Sequence, residues 1–287
     1  MNAPNRSQSN AASLPAQFDL SGRVALVTGG AGLLGAEFCR TLVQAGAQVV
    51  VADLDAQAAQ QVAAGINRPA QAARRALAVE SDVSQPQSVQ RMVAATLETF
   101  GRLDILVNSA ALDPKFDPHH NQPGASGAFE DYPLEAWRQA LEVNLTGAFL
   151  CCQAAVAPML AQGGGVIVNI SSIYGLAGPD QRLYQRPGEA AQFKPVYYSV
   201  TKAGILGLTR YLATYYAGKN IRANALSPGG VFNGHDEQFL QAYAARTVLG
   251  RMADKDELNG ALLFLVSGAS SYMTGANLVV DGGWTAW

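Results

Sequence analysis

Arg23-Val24-Ala25-Leu26-Val27-Thr28-Gly29-Gly30-Ala31-Gly32-Leu33-Leu34-Gly35 runs an apolar, β-branched segment straight into a glycine-rich turn, and Ala36–Gln44 beyond it has helical spacing. An uninterrupted apolar run of this length reads as a strand buried on both faces. Strand, glycine turn and helix in this order form a seat for a pyrophosphate. Glycines let the backbone approach closely, and the helix N-terminus presents N–H groups to the phosphates. Gly29, Gly30, Gly32, Leu33, Leu34 and Gly35 are therefore candidate contacts to a dinucleotide cofactor. An ordinary strand–helix turn is the plainer reading of the same residues.

The pattern repeats outward from this segment. After Arg23–Val27, strands are expected at Gln48–Ala52, Ala76–Ser81, Ile105–Asn108, Gly165–Ile170, Arg222–Leu226 and Asn277–Val280. Helices are expected at Asp55–Ala64, Pro86–Phe100, Leu134–Gln162, Tyr198–Tyr216, Phe239–Arg246 and Lys255–Leu265. Apolar strands alternating with helices specify an α/β fold, a single-domain doubly wound parallel sheet of about seven strands with helices on both faces. Residues 18–287 form that domain. Residues 1–17, rich in Asn, Ser, Ala and Gln, read as a flexible tail, with a helix packed on a neighbouring subunit as the alternative.

Composition narrows the function. The 287 residues are 49% hydrophobic and 15% charged, enough apolar material for one large core. Twenty basic against 22 acidic residues, a net charge of −2, argue against a protein built to bind nucleic acid. No apolar run of about 18 residues is expected to cross a membrane, and the tail lacks the apolar region of a secretory signal. Cys39, Cys151 and Cys152 lie in apolar stretches and are odd in number, which suggests reduced thiols and a cytoplasmic location. His119, His120 and His235 lack zinc-ligand spacing, so no metal site is expected.

Two clusters carry chemistry. Asp53 closes the second strand, where a carboxylate accepts hydrogen bonds from ribose hydroxyls and repels the extra phosphate of NADP. Neither Gly30 nor Leu54 offers a cation for that phosphate, so NAD is the expected cofactor. As a helix cap, Asp55 is the better candidate. Asp82-Val83 either contacts adenine or caps the helix from Pro86. Tyr198 and Lys202 stand at i and i+4 and share a helix face. The ammonium is expected to lower the phenol pKa and make Tyr198 a usable acid or base. Ser171-Ser172 follows the fifth strand at the edge where such sheets bind ligands.

Together, Thr28–Gly35, Asp53, Asp82-Val83, Asn108-Ser109-Ala110-Ala111, Asn144, Asn169–Ser172, Tyr198–Lys202, Ser227–Gly230 and Asp281–Gly283 resemble the short-chain dehydrogenase/reductase family over Phe18 to Trp287. The resemblance implies a Rossmann-like fold and a catalytic tetrad of Asn144, Ser172, Tyr198 and Lys202. Tyr198 would exchange a proton with the substrate oxygen held by Ser172. Lys202 would bind the nicotinamide ribose, and Asn144 would anchor a water-linked proton path. It also implies cofactor contacts from Leu54, Asp82, Val83, Asn108, Ser109, Ala110, Tyr198, Lys202, Pro228, Gly229 and Val231, and assembly as a homotetramer. Of the two adjacent serines, the family pattern selects Ser172. Departures are Leu33, where many members carry glycine, and Ser109 and Ala111 after the fourth strand.

Three long loops, 112–132, 173–196 and 231–250, stand at the predicted ligand edge. The interval from Ser172 to Tyr198 is about twice the family's usual one. Its arginines, with Lys115, Asp117, His119 and His120 in the first loop, suggest a polar small-molecule substrate, a sugar or sugar-derived acid. Ser172, Tyr174, Arg182, Tyr184, Arg186, Tyr198 and Asn233 are the candidate substrate contacts, under a mobile lid formed by Val231–Gly250. Segments of the C-terminal half also resemble a branch of the family associated with bacterial surface-sugar genes, including reductases of legionaminic-type synthesis. Trp284 and Trp287 fill either a subunit interface or the core at the chain end. Competing readings are a dehydrogenase of a less polar acyl or cyclic secondary alcohol, and a non-catalytic NAD-binding protein.

Overall fold

The computed structural model describes residues 14–67, 75–113, 128–186, 188 and 190–287. The seven strands are β1 (Val24–Thr28), β2 (Gln48–Asp53), β3 (Ala76–Glu80), β4 (Ile105–Asn108), β5 (Gly165–Ile170), β6 (Ile221–Pro228) and β7 (Asn277–Val280). They pair in the order β3-β2-β1-β4-β5-β6-β7. Every pairing is parallel. The chain reverses its direction of travel between β1 and β4, and the crevice at that switch point is where such sheets take a ligand.

Helices cover both faces, as the alternating sequence pattern requires. On one side lie α2 (Leu33–Gln44), α3 (Ala56–Ile66) and α9 (Asn259–Val266), packed through Phe38, Leu42, Ala59 and Leu262. On the other lie α4 (Pro86–Phe100), α6 (Gly147–Ala161) and α7 (Val196–Tyr215), packed through Met92, Met159 and Leu212. Asp55 caps α3 by accepting from the Ala58 N–H at 2.9 Å, as its position predicted. A third apolar cluster, largely aromatic, joins Tyr174, Tyr184, Phe239, Tyr243 and Trp284 above the sheet's C-terminal edge. It brings α8 (Glu237–Ala244) over that edge.

Several boundaries differ from expectation. The stretch expected as one helix from Leu134 is α5 (Leu134–Leu141), a π-helical turn at Glu142–Thr146, and α6. Within Leu134–Ala161 an 18-residue window of mean hydropathy 1.5 is long and apolar enough to cross a membrane by length and composition alone. The apolarity serves packing instead. Cys151, Cys152, Ala155 and Val156 are buried in the core shared with β4 and β5. Lys255 begins turns rather than a helix, and α9 starts at Asn259. Within the stretch expected to be a tail, Leu14–Gln17 form a helical turn, α1, packed near Gly268–Ser270; residues 1–13 lie outside the described residues.

Candidate active site

The glycine turn after β1 is shaped by close backbone approach. Gly29 has φ 61°, and a Cβ on it would stand 2.8 Å from the Ala110 Cα. On Gly35 a Cβ would stand 2.0 Å from the Gly29 carbonyl oxygen, so α2 can pack this close only with glycine there. Gly30 donates to the Ala52 carbonyl at 2.9 Å, and Gly32 opens α2 with no side-chain cap. Leu33 and Leu34 form the first turn of α2. The cradle and the uncapped helix start fit a pyrophosphate.

Asp53, at the end of β2, is fixed beside this turn. Its carboxylate accepts from the Ala31 N–H at 2.9 Å and the Asp55 N–H at 3.2 Å. Leu54 next to it is exposed. Asp82 accepts from the Ser84 N–H and hydroxyl at 2.9 and 2.7 Å, closing its own loop. It does not cap α4, whose N-cap residue is Gln85. Val83 is buried against Gly147, where a Cβ would meet it at 2.7 Å. The Thr28 hydroxyl accepts from the Ser109 and Ala110 N–H groups at 3.2 and 3.3 Å, tying the β4 loop to β1. The Asn108 side chain serves packing, which leaves its backbone as the part that could face a cofactor. The side chain turns into the core and donates to Asn169 at 2.8 Å and to the Cys152 sulfur at 3.2 Å. Gly229 donates to Val280 at 2.9 Å, following Pro228 at the end of β6, and Val231 bridges to Ala253.

The chemistry end assembles from β5, the π turn and α7. The Ser171 hydroxyl donates to the Lys202 carbonyl at 2.7 Å and is thereby committed to α7. The Ser172 hydroxyl accepts from the Tyr174 N–H at 3.2 Å, and its nearness to Tyr198 acts to lower the phenol pKa. The Lys202 ammonium, 5.7 Å from the Tyr198 ring centroid, donates to the Ile170 carbonyl at 2.9 Å. Burial pushes Lys202 down to about 8. Burial is also the largest influence on Tyr198, which it pushes up, and the negative charge of Asp113 pushes it further. This reverses the expectation that the neighbouring ammonium holds the phenol low, because desolvation of the phenolate outweighs the attraction. Asn144, buried in the π turn, accepts from the Leu112 N–H at 2.6 Å and donates to the Leu112 carbonyl at 3.1 Å and the Thr201 hydroxyl at 3.3 Å. Its side chain pins the β4 loop to α7.

Lys194 and Asp113 were not legible in the sequence. The Lys194 ammonium sits 4.1 Å from the Tyr198 ring centroid and is paired with the Asp113 carboxylate. Gln181 holds the Lys194 backbone from both sides, accepting from its N–H at 2.8 Å and donating to its carbonyl at 3.2 Å. The only hint in the chain is a lysine just ahead of the helix that carries Tyr198.

The expected substrate residues divide. Tyr174 stands edge-on to Tyr198, ring centroids 6.4 Å apart, and Tyr184 donates to the Tyr174 hydroxyl at 3.0 Å. Arg182 and Arg186 do not present free guanidinium groups. Arg182 is paired with Asp180 at 2.7 Å with its side chain 83% exposed, and Arg186 is paired with Asp236 at 2.6 Å. Asn233 is exposed and donates its N–H to His235 at 3.2 Å. His235 stacks on Phe239 at 4.8 Å, and burial lowers its pKa. Arg246 also pairs with Asp180, at 2.6 Å, so two ion pairs fasten the expected lid to the 173–196 loop. Trp284 is buried, stacked on Tyr243 at 4.5 Å, and so belongs to the aromatic cluster rather than to an outer face. Trp287 is exposed. Lys115, Asp117, His119 and His120 lie outside the described residues. Among the described residues no three His, Cys, Asp or Glu side chains group as metal ligands.

The family described as "Enoyl-(Acyl carrier protein) reductase" matches residues 30–285. The cis-4-hydroxycyclohexanecarboxylate dehydrogenase of Sinomonas cyclohexanicum is 38% identical over 92% of this chain and 97% of its own. The D-threitol dehydrogenase of Mycolicibacterium smegmatis is 35% identical over 97% of this chain and 98% of its own. Among solved structures, a gluconate 5-dehydrogenase from Burkholderia cenocepacia, in complex with NADP and tartrate, superposes with a TM-score of 0.78 at 30% identity, covering 95% of this chain and 99% of that one. These likenesses do not support the narrower kinship with surface-sugar reductases.

Proposed function

Because the chain belongs to the short-chain dehydrogenase/reductase family, we propose that it interconverts a secondary alcohol and its ketone on a compact cyclic or polyhydroxylated molecule, with NAD as cofactor. One observation carries the reading: a half-buried Tyr198 beside Ser172, with Lys202 one helical turn along and its ammonium 5.7 Å from the phenol ring centroid, at the ligand edge of the sheet. The cofactor, when bound, accepts or supplies the hydride. In oxidation Tyr198 takes the hydroxyl proton of the substrate, and in reduction it returns one to the same oxygen. Ser172 holds that oxygen by hydrogen bonding. Lys202, anchored on the Ile170 carbonyl, is the cation beside the phenol and the candidate contact for the nicotinamide ribose. Asn144 acts by holding Leu112 and Thr201 in place around the site.

The aromatic wall of Tyr174, Tyr184, Phe239 and Trp284 favours a ring-shaped alcohol. A sugar or sugar-derived acid stays within the class, although the paired states of Arg182 and Arg186 remove its original support. The fixed Asp53 carboxylate suits ribose hydroxyls and repels a 2′-phosphate, which supports NAD over NADP. The exposed apolar residues of α6 and α7 support a homotetramer, and three buried thiols suit a cytoplasmic location.

The test is a 340 nm assay with ring alcohols and polyols. Tyr198→Phe is expected to lower kcat by about 10²- to 10⁴-fold, while NAD still raises the melting temperature. If Tyr198→Phe keeps wild-type turnover, the assignment fails. For the cofactor, NADP turned over as efficiently as NAD by the wild-type protein would refute the role given to Asp53.

A further inference from the structure

We infer that Lys194 receives a carboxylate carried by the substrate, so that the molecule reacting at Tyr198 is a ring-sized hydroxy acid; the inference rests on the reading of Tyr198 as the reacting residue. Lys194 stands directly over the Tyr198 ring at 4.1 Å, in a side-chain environment only 9% exposed. Its position is built rather than incidental. The two Gln181 hydrogen bonds hold its backbone, and Tyr174 flanks the same ring edge-on.

The two members of the Lys194–Asp113 pair are not equivalent. The ammonium is enclosed, whereas the Asp113 side chain is 53% exposed at the edge of the β4 loop. A buried ammonium needs an anion, because leaving it uncompensated is costly. An exposed carboxylate loses little on returning to water. Asp113 is thus the exchangeable partner, and a substrate carboxylate takes its place. A neutral ring of the same shape gains no such replacement and must bind alongside the intact pair, which selects against it.

The anion is a carboxylate rather than a phosphate because, among the described residues, the Lys194 ammonium is the cation placed to receive it. Arg182 and Arg186 are committed to Asp180 and Asp236, and the Lys202 ammonium to the Ile170 carbonyl, so a second charge lacks a second cation of that set. With the carboxylate on Lys194 and the reacting hydroxyl on Tyr198 and Ser172, the ring between them lies against the aromatic wall.

Binding is measured first with molecules that have no hydroxyl to oxidise. Cyclohexanecarboxylate and cyclohexanecarboxamide are compared by their effect on the melting temperature of the full chain, with NAD present and absent. The carboxylate is expected to bind roughly tenfold or more tightly than the amide. Lys194→Met is expected to abolish that difference, and Asp113→Asn to widen it by removing the competitor. Turnover of the hydroxylated acid and amide is then compared as a kcat/KM ratio, which is expected to fall toward one in Lys194→Met whatever happens to the absolute rates. Equal binding of acid and amide by the wild-type protein overturns the inference, and so does a preference for the acid that survives Lys194→Met. If Lys194→Met does not fold, the wild-type comparison and Asp113→Asn decide: an unchanged or reduced preference for the acid in Asp113→Asn overturns it. Acid-selective binding with no turnover of any ring alcohol or polyol refutes the proposed reaction instead and leaves the anion site standing.

Discussion

Tyr198 and Lys202 are four positions apart on α7, and proximity alone makes the ammonium a device for lowering the phenol pKa. Enclosure changes the balance, since both charged forms lose water. Burial drives Tyr198 up and Lys202 down to about 8, and the Asp113 charge adds to the rise of Tyr198. Oxidation uses the deprotonated phenol, so its rate should climb with pH on the limb that Tyr198 controls. Replacing Asp113 by Asn removes a charge that raises Tyr198, so that limb should move to lower pH. A pH profile of kcat/KM for alcohol oxidation checks this, and a limb that stays put or moves to higher pH would contradict it. The tyrosine, the lysine and Ser172 could be read from spacing and family pattern. The Lys194–Asp113 pair could not, because it joins positions far apart in the chain and neither residue belongs to a motif. Asn108 is the opposite case: it stands in a motif segment, and its side chain serves the core between β4, β5 and α6.

At the scale of elements, the loops proved harder to read than the strands. Alternation of apolar strands and helices is a strong signal, and all seven strands lie within a few residues of their expected places. The π turn at Glu142–Thr146 left no trace in the pattern, because the apolar spacing on either side continues through it. Such a bulge re-aims one turn of a helix, and here it carries Asn144 toward Leu112 and Thr201. Arg186 looked like an anion binder because its carboxylate partner, Asp236, is fifty residues away, and Arg182 because a neighbouring carboxylate, Asp180, does not announce itself as its partner. In the folded chain Asp180 sits between Arg182 and Arg246 and is held down to about 2, chiefly by its hydrogen bond from Arg182. A carboxylate depressed in this way keeps its pairing above the ordinary carboxylate range and loses it only as pH falls toward 2. The fastening of the 231–250 segment through Asp180 is therefore insensitive to pH near neutrality. Asp180→Asn should loosen the lid and raise KM by about 3- to 10-fold, a cost of roughly 1 kcal/mol as for partly exposed ion pairs, with a smaller change in kcat. Steady-state kinetics separate the two, and a lowered melting temperature with KM unchanged would assign the pairs to stability alone.

For the whole molecule, the parallel sheet explains why one edge carries all the chemistry, since β1, β4, β5 and β6 all end there. The same architecture leaves the outward faces of α6 and α7 uncovered. Phe149 and Leu160 on α6 and Val200, Tyr211 and Tyr215 on α7 are exposed. Tyr211 and Tyr215 stack on each other at 5.5 Å, 21° from parallel. The two helices lie on one side of the sheet, so these residues make a broad apolar surface of the kind that closes a symmetric interface. Trp284 is committed to the aromatic cluster, whereas Trp287 is exposed at the chain end, so the helices offer a second apolar surface beside it. The proposed homotetramer then predicts that Tyr211→Glu combined with Leu160→Glu lowers the mass measured by light scattering at micromolar concentration, because each substitution would place a charge in the apolar centre of the contact. Tyr198 packs against the aromatic cluster beside Tyr174 rather than among these exposed residues, so any loss of activity in the double variant would follow from the loss of partners and should reverse as protein concentration rises. A wild-type mass equal to that of one chain, or a double variant that remains tetrameric, would remove α6 and α7 as the assembly surface.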